Sequence, residues 1–433
     1  REIIERIKAQ GCYVNSLDDY LFSKSKAEKV LLQHFNLSSL HSFGLDNQSL
    51  AVSVAGSLLQ YLIDTQKNSL SHLKTISLRS NQQTMLLDGS TFRNLEIMQN
   101  IRDGSTRGTL FSVLDLTTTA MGSRLLKRWL REPLLTISLI EKRLSAVESL
   151  TREVIVREEI RDLLKSIADL ERLIGRVNYG IASPRDLLSL RNSLQLLPRL
   201  GKEISTLSGE LLQEIAAMPN LDGLRDLLSR ALRDDALNTT REGGMIKPEF
   251  DSELAELTSL RMNSQVYLQQ IEEKERASTR ISTLKIGFTK VFGYFIEVTR
   301  KNSALVPAHY IRKQTTVNGE RFITEELKVI EEKILHAEER MVELEYSLFQ
   351  TICKELALKT AEFQEIAAKI AALDVLCSLA KVAVDYAYLR PVFVPENVLQ
   401  LRNSRHPVVE RMVKRFIGND IVLNDGQMMI LTG

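Results

Sequence analysis

Residues 281–325 read ISTLKIGFTKVFGYFIEVTRKNSALVPAHYIRKQTTVNGERFITE, and within them the hydrophobic period changes from helical to extended. Leu284, Ile286 and Phe288 alternate with polar neighbours, Gly293 breaks the run, and Tyr294, Ile296 and Val298 alternate again. Farther on, Asn318-Gly319-Glu320 lies between Thr315-Thr316-Val317 and Arg321-Phe322-Ile323. Asn-Gly between β-formers signals a tight hairpin, because both residues accept positive φ. The stretch therefore reads as a small β module.

Helical seams flank it on both sides. Leu327, Ile330, Ile334, Ala337, Met341, Leu344 and Leu348 recur at steps of three and four, the spacing of a heptad. Thr324 is placed as the N-cap, and Glu325 and Glu326 follow where a helix dipole favours anions. Without a proline between Pro307 and Pro391, a helix from Thr324 to about Tyr388 is expected, on the order of 100 Å long. Upstream, Phe250, Leu254, Leu257, Arg261, Ser264, Leu268 and Ile271 form a second seam. Two seams around a shorter insert suggest an antiparallel helical pair carrying something at its tip. Periodicity alone equally allows a coiled-coil spacer with a loop.

The charge of the insert is distinctive. It holds seven cations (Lys285, Lys290, Arg300, Lys301, Arg312, Lys313, Arg321) against Glu297, Glu320 and Glu325, a balance of +4, whereas all 433 residues balance at +2. Bulk charge thus names no partner, but a basic β tip on long arms suits contact with a phosphate backbone.

Elsewhere the composition is that of an ordinary folded protein, 44% hydrophobic and 26% charged, which excludes wholesale disorder. Cys12, Cys353 and Cys377 are too few and scattered for a disulfide framework or zinc knuckle, so a reducing cytoplasm is expected. Ala371–Leu389 is apolar but interrupted by Asp374, Lys381 and Asp385, and should not span a bilayer. Residues 140–245 read as core helices broken at Gly175, Ser183-Pro184, Pro198, Gly201 and Gly243-Gly244. A helix from Thr119 to Arg131 carries Arg124, Lys127, Arg128 and Arg131, and Trp129 reads as core. Residues 391–395, 398–401 and 420–426 look like short strands, and Met428–Leu431 like a strand arriving at Thr432-Gly433. Such an approach resembles that to a phosphate-binding loop. His406 is assigned to packing, and no clustered carboxylate or His set suggests a nuclease. With no initiating Met and an abrupt end at Gly433, the chain reads as a fragment.

Several blocks together resemble the MutS DNA mismatch-repair family. They are Leu87-Asp88-Gly89-Ser90-Thr91-Phe92-Arg93-Asn94-Leu95-Glu96-Ile97, Gly108–Asp115, Thr119–Leu130, Gly287-Phe288 through Gly293–Thr299, Arg405–Glu410, Phe416–Asp420 and Ile430–Gly433. The resemblance implies a mainly α, multidomain protein. Residues 1–23 would end a connector domain; 24–262 and 326–390 would be core and lever helices. Residues 263–325 would be a DNA-binding clamp, and 391–433 the start of a P-loop ATPase domain. It implies a homodimer around mismatched duplex DNA, controlled by ATP or ADP with Mg²⁺, acting with downstream repair proteins on the nucleoid.

Carried onto this sequence, the resemblance makes Arg300, Lys313 and Asn318 the first DNA-backbone contacts, with Lys301, Arg312 and Arg321 behind them. Val317 stands where clamps of the family often carry a cation. Phe416 matches the aromatic that stacks on adenine, Ile417 and Asn419 line the base, and Gly433 opens the phosphate loop. The mispair-reading domain, phosphate-binding Lys and Mg²⁺-binding acid are not in the sequence, so neither ATP hydrolysis nor mispair discrimination is expected of this chain alone. A MutS-type paralogue acting in recombination, or a coiled-coil scaffold whose tip binds protein, are the alternatives.

Overall fold

The structure is a computed structural model. It describes residues 2–430 except 38, 41–44, 46–47, 67–69, 71–72, 74–75, 77–82, 237–238, 241, 290–292 and 317–318. In chain order the first helices are α1 (Glu2–Ala9), α2 (Lys24–Phe35), α3 (Ser49–Thr65), α4 (Gly89–Asn94), α5 (Leu110–Leu114), α6 (Ala120–Arg131), α7 (Ile137–Arg152) and α8 (Val154–Lys165). Then come α9 (Leu170–Asn178), α10 (Pro184–Ser205), α11 (Glu210–Ala216), α12 (Asp222–Ala231) and α13 (Ser252–Thr279). Strands β1 (Lys285–Thr289), β2 (Gly293–Thr299), β3 (Ile311–Thr315) and β4 (Gly319–Ile323) precede α14 (Glu325–Leu358) and α15 (Thr360–Asp385). Strands β5 (Leu399–Ser404) and β6 (Asn419–Leu423) follow. The protein is mainly α, as expected.

The chain forms two compact units. One comprises residues 1–164, 203–217 and 367–433; the other comprises 165–202 and 218–366. In the first unit α2 packs on α3 around Ala27, Leu31, Val52 and Leu59. Gly56 makes this possible, since a Cβ there would stand 2.5 Å from the Ala27 Cα. Local capping sets the next helices. Asp88 accepts from the Ser90 and Thr91 amides, Thr109 and Ser112 form a reciprocal capping box, and Thr119 caps α6 through the Gly122 amide. The start of α6 is held by α15: Asp374, fully buried, accepts from the Thr118 amide at 2.9 Å and from the Thr119 amide and hydroxyl at 2.7 Å each. Burial nevertheless pushes the Asp374 carboxyl up from its ordinary value.

In the second unit, α13 and α14 run antiparallel. Lys274 pairs with Glu326 at 3.0 Å and Arg340 with Glu253 at 2.7 Å, so numbers rise along one helix as they fall along the other. Their 28 and 34 residues span about 42 and 51 Å. Thr324 caps α14 through the Leu327 amide at 3.3 Å.

Among the helices the structure departs from the sequence expectations in four places. The long C-terminal helix is two helices. Lys359 leaves helical geometry at φ −104°, ψ 20°, and the buried Thr360 hydroxyl turns to the Ala357 carbonyl and the Asn178 side chain. The α14 seam shifts after Met341, where Glu345 and Phe349 become buried instead of Leu344 and Leu348. A 3.6-residue helix drifts against a 3.5-residue repeat, and the seam follows. Among the described side chains of the expected α13 seam only Leu254, Leu268 and Ile271 are buried; Phe250 and Leu257 are half-buried and Arg261 is exposed. Finally, α9 and α10 run through Gly175, Pro198 and Gly201. Buried Leu187, Leu190, Leu194 and Leu200 hold α10 on both sides of Pro198, so packing overrides the lost backbone bond.

Candidate nucleic-acid interface

The four strands form one antiparallel sheet in the order β1-β2-β4-β3. Its inner face buries Leu284, Ile296, Val298, Tyr310 and Phe322 against Leu268, Ile271, Leu327, Ile330 and Ile334 of the two long helices. Fully burying each large aliphatic stabilises the junction by about 1.5–3 kcal/mol. Backbone demands explain two glycines. Gly293 has φ +71°, and a Cβ there would collide with the Glu331 carboxylate; at Gly287 it would stand 2.9 Å from the Phe295 ring.

Carboxylates from the helices tie the sheet down. Glu272 accepts from the Ile286 amide at 2.7 Å, Glu331 from the Tyr294 amide at 3.1 Å, and buried Glu275 from the Tyr310 hydroxyl at 2.7 Å. Burial first, then Glu275, pushes the Tyr310 hydroxyl well above the usual phenol range. Glu331 meets the start of β2, whereas Thr299 at its end pairs with Gly319 at the start of β4. Glu331 therefore sits at one end of β2, and the start of β4 at the other.

The expected cations fall into two classes. Arg300 follows β2 at the turn end, exposed, with its Nη2 3.5 Å from the Thr316 carbonyl. Lys301 is its exposed neighbour. Lys313 is the extra residue of a β-bulge, since Arg312 pairs with Phe322 and Gln314 with Arg321. A bulge re-aims its side chain, and Lys313 is exposed. Among the described residues Lys301 and Lys313 hold no ion pair. Arg312 and Arg321 are already engaged. Arg312 pairs with Glu320 at 3.2 Å. Arg321 lies over the Phe295 ring at 4.1 Å and donates to Gln314 at 2.9 Å, with its side chain 22% exposed. Asn318, like Lys290 and Val317, lies outside the described residues.

The second group of expected residues begins β6. Strands β5 and β6 pair antiparallel with an irregularity between Leu401 and Ser404, where Asn403 adopts φ +49°. Phe416 is half-buried, Ile417 is 72% exposed, and Asn419 opens the strand on the surface. Gly433 lies outside the described residues. Residues 391–395 and 428–430 are not strands; Pro391 and Pro395 lack the amide a ladder needs. His406 is exposed rather than packed, and its Nδ1 accepts from the Val408 and Val409 amides at 3.3 and 3.2 Å. Its neighbour Arg405 donates to the Tyr386 and Ala387 carbonyls and pairs with Glu410 at 3.1 Å.

Three buried carboxylates were given no role by the sequence reading: Asp374, Glu275 and Glu345. Glu345 is 3% exposed and accepts from the Gly244, Met245 and Ile246 amides at 2.9, 2.7 and 3.0 Å. The only sequence hint was Gly243-Gly244, which adopt φ +70° and +75° and turn successive amides toward one oxygen pair.

Comparison with known proteins assigns the chain to a family. The family model described as MutS domain III matches residues 90–380, which include both long helices and the whole sheet, and the model for MutS domain II matches residues 2–74. The chain belongs to the MutS family. Similar proteins include the DNA mismatch repair protein MutS of Symbiobacterium thermophilum, 42% identical over 99% of this chain and 49% of that protein. Those of Methanothrix thermoacetophila, at 42% over 99% of this chain and 50% of that protein, and Methanosarcina barkeri, at 40% over 100% and 49%, are similar too. The chain spans about half the length of these curated MutS relatives. Among the described residues of this MutS family member, no helix is long and apolar enough to cross a membrane, and no His/Cys/Asp/Glu group is placed to hold a metal ion.

Proposed function

We propose that this chain is the core and clamp part of a DNA mismatch repair protein, and that its four-stranded sheet contacts the phosphate backbone of duplex DNA. The observation that carries this reading is the set of exposed cations Arg300, Lys301 and Lys313 on a sheet anchored to two long helices. They supply the clustered positive charge that phosphate contacts use, which suits a contact that positions DNA and leaves mispair discrimination to other parts of the protein. Asn318, outside the described residues, belongs to the same proposed set of backbone contacts.

In the full-length protein, Phe416, Ile417 and Asn419 hold the adenine of ATP or ADP. The exposed apolar Ile417 beside half-buried Phe416 fits a stacked base. The nucleotide with Mg²⁺ would supply phosphoryl-transfer energy when bound, with Gly433, outside the described residues, opening the phosphate-binding loop. The protein acts as a homodimer that closes around mismatched duplex, recruits downstream repair proteins and resides in the cytoplasm on the nucleoid.

Duplex DNA binding by this chain, measured against salt, tests the reading. Neutralising three phosphates gives a slope of log K against log salt near about −2.7, and Arg300→Glu/Lys313→Glu flattens it by about two units. Weak, salt-insensitive binding that ignores the double substitution would overturn it.

A further inference from the structure

A second basic surface lies in the other unit, on α6 and α7. Lys127, Arg131 and Arg143 each cover an aromatic ring of one core cluster: Phe111 at 4.9 Å, Phe92 at 5.9 Å and Trp129 at 3.5 Å from the ring centroids. Burial first, and then the charge of nearby Arg128, lowers the Arg143 pKa to about 10, so Arg143 stays cationic at neutral pH. Among the described residues none of these four cations holds an ion pair. The carboxylates of α7 are committed elsewhere, Glu141 and Glu148 to Arg390. Clustering like charges without counter-ions costs stability, so a folded protein that keeps such a cluster has a use for it. A guanidinium lying over a ring keeps its in-plane N–H donors free for a carboxylate.

The same surface has an apolar rim. Residues 83–86 run antiparallel to 133–135, directly after the α6 turn that holds Arg131, through the Met85 amide to the Pro133 carbonyl and the Leu135 amide to the Gln83 carbonyl. Met85, Leu86 and Leu135 there are 45%, 85% and 51% exposed. Apolar side chains around arginines and a tryptophan match the composition of protein-binding hot spots. A phosphodiester chain would satisfy the cations and leave the rim in water.

We propose that the α6–α7 face is a docking surface for a partner protein segment that combines carboxylates with apolar side chains. The cations bind the carboxylates and the Met85–Leu86–Leu135 rim receives the apolar groups. Because Trp129 is the only tryptophan of the chain and lies under Arg143, its emission reports occupancy of this face.

The test titrates the chain with a Trp-free peptide of Glu-Glu-Leu repeats while following Trp129 emission. The expected result is a saturable change that weakens about tenfold or more in Lys127→Glu/Arg131→Glu, and that poly-glutamate of equal length and duplex DNA do not reproduce. Should that variant fail to fold, Lys127→Gln/Arg131→Gln carries the same comparison, with a smaller loss expected. No change in emission, a change indifferent to both variants, or an equal change with poly-glutamate or DNA would overturn the proposal.

Discussion

The Tyr310 hydroxyl donates to Glu275 at 2.7 Å inside the core that joins the β sheet to α13 and α14, and both residues are buried. Among the described residues only Ser278, at 3.3 Å, also donates to that carboxylate oxygen. Tyr310→Phe is therefore expected to strand a buried anion and destabilise the chain by about 1–3 kcal/mol, read as a lower urea midpoint. The pH dependence has a definite sign. The Tyr310 pKa is raised in the fold, so its contribution is complete below the ordinary phenol value of 10.0 and is lost as pH climbs above it. Alkaline titration of wild type and Tyr310→Phe should converge in stability above pH 10; parallel curves would count against this role.

Glu345 is expected to be the costliest single carboxylate in the second unit. Removing it as Glu345→Ala leaves the buried Met245 and Ile246 amides and the part-buried Gly244 amide without this acceptor, and about 2–4 kcal/mol should be lost in denaturant unfolding. Glu345→Gln keeps one acceptor oxygen and should fall between. A loss below the scatter of surface substitutions would show that water replaces the carboxylate.

On the candidate DNA face, Glu320 competes with phosphate for Arg312. Glu320→Gln should tighten duplex binding at low salt and steepen the salt slope by about 0.9, one additional phosphate. Arg321→Met should lower stability with little change in slope, because Arg321 spends its guanidinium on Phe295 and Gln314. Fluorescence anisotropy over a salt series separates the two outcomes.

Thiol labelling gives a simple check on the packing. Cys12 is exposed, while Cys353 and Cys377 are buried and burial raises both, Cys353 to about 12. One of the three thiols should react under native conditions at neutral pH, the other two only on unfolding. Native reaction at Cys353 would mean that α14 opens locally.

Much of the architecture was legible because it rests on signals local in the chain. The change of period at Leu284, the Thr324 cap and the α6 segment after Thr119 each depend on neighbours within a few residues. What was not legible depends on partners far away in sequence. Glu345 is buried because amides a hundred positions earlier converge on it, and no hydrophobic pattern encodes a carboxylate in a core. The helix break at Lys359 likewise depends on Asn178 meeting Thr360. Within the candidate site, residue type picked out the cations, but only the bulge at Lys313 and the Phe295–Arg321 stack separate those open to solvent from those engaged.

The acidic anchor Glu331 of α14 meets the start of β2, while Arg300 lies past the far end of that strand. This separation gives the sheet module an electric dipole with its positive pole outward. A polyanion approaching in solution exerts a torque on such a dipole before any contact is made. The module would therefore arrive already oriented, and its rate of capture, more than its final grip, should respond to ionic strength.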